Sequence, residues 1–371
     1  MILLLHNRYR TTGGEERAVD DYAWLVREHL GEEAELLERD SGALSRPRAA
    51  VAMLGGGLQP DDVAAAVRRS GARIVHAHNV NPSFGWRALA AARATGARVV
   101  LHLHNYRLVC AVGTCFTHGA DCTRCHGRNS GPGVRLACRG DRGEAAVYGA
   151  GLALWQRRLA AQVDRFVVPS EAALERLRAL GAPVDGRASV VAHPVRGFAE
   201  GSAAAAGEHA LVASRLAPEK GVDVAIEAAR RTGRPLVVVG DGPLRRPLRD
   251  RARGADVRFL DAVRPERFED LRRSSAVAVV PSRSAETFGL AAAHAMAAGA
   301  PVAASRIGAL PELVEEDGLV PPGDPVALAA ALERRWGDAE AGARGLRRVR
   351  ERCAPERVAA ALGAVYDGIM A

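Results

Sequence analysis

Short apolar strand-like runs alternate with helix-patterned segments along this chain, and the alternation runs through twice. The first series predicts strands at Ile2–Leu5, Ala34–Leu37, Arg73–Ala77, Arg98–Leu103, Arg165–Val168 and Ser189–Ala192. Helices are predicted between them over Glu15–Leu30, Asp61–Ser70, Pro82–Ala94, Tyr148–Ala160 and Ser170–Leu180. A small-residue stretch without a periodic face, Arg196–His209, follows, and then the alternation restarts at Ala210–Ser214. Strands interleaved with amphipathic helices imply parallel sheets covered on both faces, hence an α/β chain. At 371 residues the chain exceeds one ordinary core. Two Rossmann-like doubly wound domains are therefore expected, 1–193 and 194–354, facing across a cleft where ligands bind. The last amphipathic helix, in 355–371, is expected to pack back on the first domain.

With 48% hydrophobic and 25% charged residues the chain is a globular folder, outside the disordered class. The start, MILLLHNRYR, reads as a buried strand, since its apolar run is too short for a secretory leader. No run of about 18 apolar residues is present to cross a bilayer, so the cytoplasm is the expected compartment. The net charge of +8 is larger in the first half, which allows a peripheral contact at the inner membrane face or a plain solvated surface. The aromatic content of 4%, without basic–aromatic interleaving, argues against nucleic acid as a partner.

The basic residues are unusual in kind. Lys220 is the only lysine among 51 Lys and Arg, and it stands in ASRLAPEKG (Ala213–Gly221), where a strand ends in a turn made by Pro218. Arg215 and Lys220 straddle that turn. A planar fork and a compact point charge suit different oxygens of one diphosphate, although a solvated turn could also carry both.

A second strand end, Pro281–Pro301 (PSRSAETFGLAAAHAMAAGAP), turns into a helix pattern from Glu286. Unpaired N–H groups and the helix dipole make such a junction an anion site, and an acid there can alternatively just cap the helix. Gly13 and Gly14 open the first helix, and Gly242 belongs to a turn after a later strand, in VGDGP. Glycine in these places permits close backbone approach to a ligand or makes an ordinary turn. His76, His78, Asn79, His102, His104, Asn105 and Tyr106 follow the ends of two strands, where polar side chains meet ligands.

Five of six cysteines (Cys110, Cys115, Cys122, Cys125, Cys138) lie in one glycine-rich insertion. Cys122 and Cys125 have metal-knuckle spacing. A structural zinc, free or redox-active thiols, and disulfides are the three readings, and a catalytic metal is not among them.

The series G-G, H-N near residue 104, S-R-L-x-P-E-K-G, V-G-D-G-P, E-T-F-G-L and GALPELVEEDGLVPPGD (Gly308–Asp324) resembles the retaining nucleotide-sugar glycosyltransferases of family 4, with the GT-B fold. The resemblance implies transfer of a hexose-type sugar from a UDP- or GDP-sugar to an acceptor hydroxyl, without a cofactor. The acceptor would be a saccharide, a lipid-linked saccharide or a small molecule. Arg215 and Lys220 match the pair that holds the diphosphate, and Glu286 the first acid of a paired-glutamate motif. Thr287, Phe288, Gly289 and Leu290 match the phosphate-binding turn, and Gly13, Gly14 and Gly242 further donor contacts. His104 matches the histidine near the transferred sugar, with Asn105, Tyr106 and His78 on the acceptor side. The cysteine insertion, with zinc candidates Cys110, Cys122, Cys125 and Cys138, resembles one in a subset of these enzymes. The chain departs from the family at His294, where a second glutamate commonly binds the ribose, and at Asp261, where glycine is usual. An epimerase on the same fold, or a binding protein that has lost turnover, are the alternatives.

Overall fold

A computed structural model describes residues 1–9, 13–261 and 263–371. The chain divides into two compact units. The first comprises Met1–Thr117, Cys122–Pro194 and Pro355–Ala371, and the second His118–Asp121 and Val195–Ala354.

The first unit holds a parallel sheet of β1 (Ile2–Arg8), β2 (Ala34–Asp40), β3 (Ile74–Ala77), β4 (Arg98–His102), β5 (Arg165–Val168) and β6 (Ala188–Val190). Its order is β2-β1-β3-β4-β5-β6. β3 is buried at every position, as expected of a central parallel strand covered on both faces. Against one face pack Tyr22, Leu25 and Val26 of the helix Gly14–His29 together with Val358, Leu362 and Val365 of the helix Pro355–Met370.

The second unit holds β7 (His209–Ala213), β8 (Leu236–Val239), β9 (Val257–Leu260), β10 (Ser275–Val280), β11 (Val302–Ser305) and β12 (Leu319–Val320). The order β9-β8-β7-β10-β11-β12 is again wholly parallel. The order reverses between β7 and β10, so the loops leaving those two strands emerge side by side. The helices Val222–Thr232 and Pro325–Arg335 cover this sheet with Val224, Ile226, Leu328 and Leu332.

Several sequence expectations shift, among them the helix predicted from Tyr148, which begins at Arg142 behind the cap Asp141. The helix predicted from Glu286 begins at Leu290, because Gly289 holds a left-handed φ of 94° and separates Glu286 from the helix. The helix predicted from Pro82 begins at Gly85. The helix Arg46–Gly55, capped by Ser45 and ended by Gly56 at φ 75°, has no counterpart in the sequence reading. Its run of Ala and Gly gives little periodic contrast.

Candidate functional site

In the second unit the switch point brings together two loops, one after β7 and one after β10. Gly221 has φ 62°, and a Cβ there would lie 2.1 Å from the Pro281 carbonyl oxygen, so the loops touch where only glycine fits. The Arg283 N–H donates to the Glu219 carbonyl at 2.8 Å, and its guanidinium pairs with Asp223 at 2.7 Å. Lys220 Nζ then reaches Glu286 Oε1 at 2.6 Å, and Ser282 Oγ donates to the same oxygen at 2.5 Å. Burial opposes ionisation of Glu286, but Lys220, Ser282 and Arg215 outweigh it and hold the carboxyl below its ordinary range. Arg215, largely exposed, pairs with Glu219.

A third loop backs this arrangement. Glu286 accepts through its carbonyl from the Ala309 N–H at 2.9 Å, and a Cβ on Gly308 would meet the Glu286 backbone nitrogen at 2.5 Å. Gly289 caps the helix Leu290–Ala297, with Leu310 packed where its side chain would be. Thr287 is half-buried and Phe288 is buried between these loops. His294 lies half-buried on that helix, one turn past Leu290. Gly242 presses on the loop after β7, since a Cβ would sit 2.5 Å from the Leu216 carbonyl oxygen. Asp261 pairs with Arg245, which also donates to the Gly240 carbonyl at 3.0 Å.

Sequence reading missed Ser282, Glu219, Asp223, Arg283 and Arg245 as members of this network. Lys220 and Glu286 are 66 positions apart and Asp223 and Arg283 are 60 apart, separations at which no local periodicity exists. The polar turn Ser282–Ser284 was the available signal.

In the first unit the residues after β1, β3 and β4 converge. His78 Nδ1 lies 2.8 Å from His104 Nε2, and the imidazoles of His78, His102 and His104 stack at 4.1–5.4 Å between centroids. His193 joins that stack and Tyr22 lies edge-on to it, neither of them singled out by sequence. Asn105 donates to Glu15 Oε2 and to Tyr9 Oη, each at 3.1 Å. Tyr9 Oη donates to Glu15 at 2.8 Å, and Arg107 lies over the Tyr9 ring. Burial, the largest cause, pushes the Glu15 carboxyl up to about 7, with Arg107, Tyr9 and Asn105 pulling it back. Tyr106 and His78 are buried. Gly13 is extended at φ −143°, and its N–H is taken by Glu16 Oε2 at 2.7 Å, while Gly14 starts the first helix.

All six cysteines are free thiols. Cys110, Cys115, Cys122, Cys125 and Cys138 line one small cavity. The Cys115 thiol lowers its neighbour Cys110 to about 6. Burial pushes Cys125 the other way, above its ordinary value.

Two family profiles match the chain: "Glycosyl transferase 4-like domain" over residues 12–194 and "Glycosyl transferases group 1" over 207–338. Among curated proteins, a D-inositol 3-phosphate glycosyltransferase of Acidothermus cellulolyticus is 39% identical over 145 residues, 33% of this chain and 32% of that protein. A GDP-mannose-dependent alpha-(1-6)-phosphatidylinositol dimannoside mannosyltransferase of Mycobacterium tuberculosis is 35% identical over 125 residues, 32% of each. The chain thus matches about a third of the length of these relatives. Among solved structures, sucrose-phosphate synthase from Thermosynechococcus elongatus superposes with a TM-score of 0.73 at 18% identity, covering 100% of this chain and 98% of that one. Anabaena HepE, solved with UDP, gives 0.64 at 16% identity over 99% of both chains. At these identities the likeness establishes the GT-B fold alone.

Proposed function

The chain belongs to the group 1, family 4 glycosyltransferases, and on that premise we propose that it is a retaining enzyme moving a hexose-type sugar from a nucleotide diphosphate sugar to an acceptor hydroxyl. The observation that carries the reading is the Lys220–Glu286 pair at the switch point, with Arg215 paired to Glu219 on the same loop as Lys220. Lys220 and Arg215 are each paired with a carboxylate. A diphosphate competes for both cations, and in the transition state, where the leaving phosphate gains charge, they stabilise it most. Glu286, freed from Lys220 and still bonded by Ser282, accepts hydrogen bonds from the donor sugar. Backbone N–H groups of Thr287–Gly289, at the start of the helix Leu290–Ala297, add donors to the phosphates.

A UDP- or GDP-sugar is the donor class. UDP is bound by the Anabaena neighbour and GDP-mannose used by the mycobacterial relative. His294 in place of a second carboxylate offers the ribose one donor and one acceptor. The acceptor is a saccharide, a lipid-linked saccharide or a small molecule, met from the side of His104 and Asn105. No helix among the described residues is long and apolar enough to cross a membrane.

The chemistry runs on cations already in the chain and calls for no metal at the donor. A zinc ion would instead staple the cysteine insertion. The donor set fits, since Cys110, Cys122, Cys125 and Cys138 surround one cavity, and four thiolates satisfy a closed tetrahedral site. That ion would order a long loop and take no part in transfer.

Release of UDP or GDP from a panel of sugar nucleotides, with and without acceptor mixtures, tests the function. Acceptor-dependent release with the anomeric configuration kept supports it. Binding without release would favour the protein that has lost turnover, and a changed sugar nucleotide without transfer would favour the epimerase.

A further inference from the structure

We propose that His76, His78 and His102 form a binding site for a divalent transition-metal ion, zinc or a close analogue, inside the first parallel-sheet unit. The site shares His78 with the expected acceptor side and does not involve the cysteine insertion.

β3 and β4 are neighbours in register, with His76 opposite Val100 and Ala77 opposite Leu101. The period of two then places His76, His78 and His102 on one face at adjacent strand ends. One ring nitrogen from each lies within 4.8 Å of the other two. The three side chains are 0%, 4% and 1% exposed. His76 Nε2, His78 Nε2 and both nitrogens of His102 have no hydrogen-bond partner among the described residues. Three buried imidazoles with unsatisfied nitrogens clustered in one place are costly unless something accepts their lone pairs, and since the rings stack nearly parallel they would turn to converge on an ion.

The remaining nitrogens are arranged as metal ligands require. His76 Nδ1 meets Tyr366 Oη at 2.7 Å, and His78 Nδ1 meets His104 Nε2 at 2.8 Å. If both Nδ1 atoms carry the proton and donate, the two Nε2 lone pairs are left for an ion, the usual outer-shell arrangement. The Tyr22 ring lies against all three imidazoles, and its hydroxyl donates to the Ala192 carbonyl at 3.0 Å, so it closes the site without competing. Burial holds His76 near 3 and pushes His78 and His102 well down, so all three are neutral at ordinary pH. Neutral imidazole is the form that binds Zn, Co, Ni and Cu. Zn–N bonds of about 2.0–2.1 Å would draw the three nitrogens to roughly 3.3 Å of one another. His102, His104 and His193 form a second triad that shares His102. The proposal places the ion in the first, whose unsatisfied nitrogens and Tyr366 partner mark it.

The test uses the full chain without a histidine tag, carrying Cys110→Ser, Cys115→Ser, Cys122→Ser, Cys125→Ser and Cys138→Ser so that the thiols of the insertion cannot contribute. After chelator treatment it is titrated with Zn2+ or Co2+, with bound metal and Tm read in parallel. About one equivalent of metal and a concentration-dependent rise in Tm are expected. His76→Gln and His102→Gln should lose the metal, with folding checked by circular dichroism, while His193→Gln keeps it. No binding above background in the unsubstituted-histidine chain would overturn the proposal, a result that needs no histidine variant to fold. Loss in His193→Gln with retention in His76→Gln would overturn it equally, by moving the ion to the other triad.

Discussion

Glu286 Oε1 accepts from Lys220 Nζ at 2.6 Å and from Ser282 Oγ at 2.5 Å, so the only lysine of the chain is tied to the first acid of the ETFGL turn. The two residues lie on loops that leave β7 and β10, neighbours because the sheet order reverses between them. In the proposed donor site a diphosphate and a sugar hydroxyl would replace each partner for the other.

Lys220→Ala should lower turnover more than a hundredfold, the loss of a charge-assisted contact worth about 3 kcal/mol in the transition state. Arg215→Ala should do likewise. Lys220→Arg should recover only part of the rate, because a planar fork does not replace a compact ammonium. Steady-state nucleotide release measures all three, and near-normal rates in either alanine variant would remove the donor assignment.

Glu286 is held below its ordinary carboxylate range despite its burial, chiefly by Lys220. Its contribution to stability is therefore present above the unfolded pKa of about 4.3 and is lost as pH falls through the lower folded value. Glu286→Gln should flatten the acid limb of the stability curve, read by urea unfolding between about pH 3 and 6. An unchanged slope would show that the pair contributes nothing to folding.

Glu15 titrates in the opposite sense. Its folded pKa, about 7, is above the unfolded one, so the native state keeps its proton longer and stability falls as pH rises between about 4.3 and 7. Glu15→Gln should remove that fall and raise stability above pH 7 by on the order of 2 kcal/mol. Denaturant unfolding of both chains at about pH 5 and 8 decides it, and a variant weaker than wild type at the higher pH would contradict the account.

Gly221→Ala puts a Cβ 2.1 Å from the Pro281 carbonyl oxygen at a left-handed φ of 62°. The loops must separate, which should cost about 2 kcal/mol or more and lower turnover through a displaced Lys220. Gly254→Ala is the control, also left-handed at φ 78° but with open space around it. Its activity should stay near wild type, measured beside Tm.

Cys122→Ser with Cys125→Ser should abolish zinc assigned to the cysteine insertion and speed proteolysis between 110 and 138, without changing turnover by more than a few fold. Metal analysis and limited proteolysis report this, and wild-type protein without such zinc would end the staple reading.

Both sheets were legible because buried parallel strands are apolar runs, and helices between them show a second period. The Arg46–Gly55 helix was not, since alanine and glycine carry no contrast. Of the candidate site, local motifs were readable: the Lys220 turn, ETFGL and the two H-N strand ends. Their partners were not. Glu219, Asp223 and His193 belong to no local pattern that marks them out.

Residue type and spacing within single elements suffice to read the fold class, the family and the candidate anion site of the Lys220 and Glu286 loops. That Lys220 and Glu286 are bonded, and that Gly289 rather than Glu286 caps the helix, follows from the folded chain alone. The folded chain also decides that histidines from three separate segments share one stack. Those outcomes depend on strand order and backbone approach, which a parallel sheet sets between residues far apart in the chain.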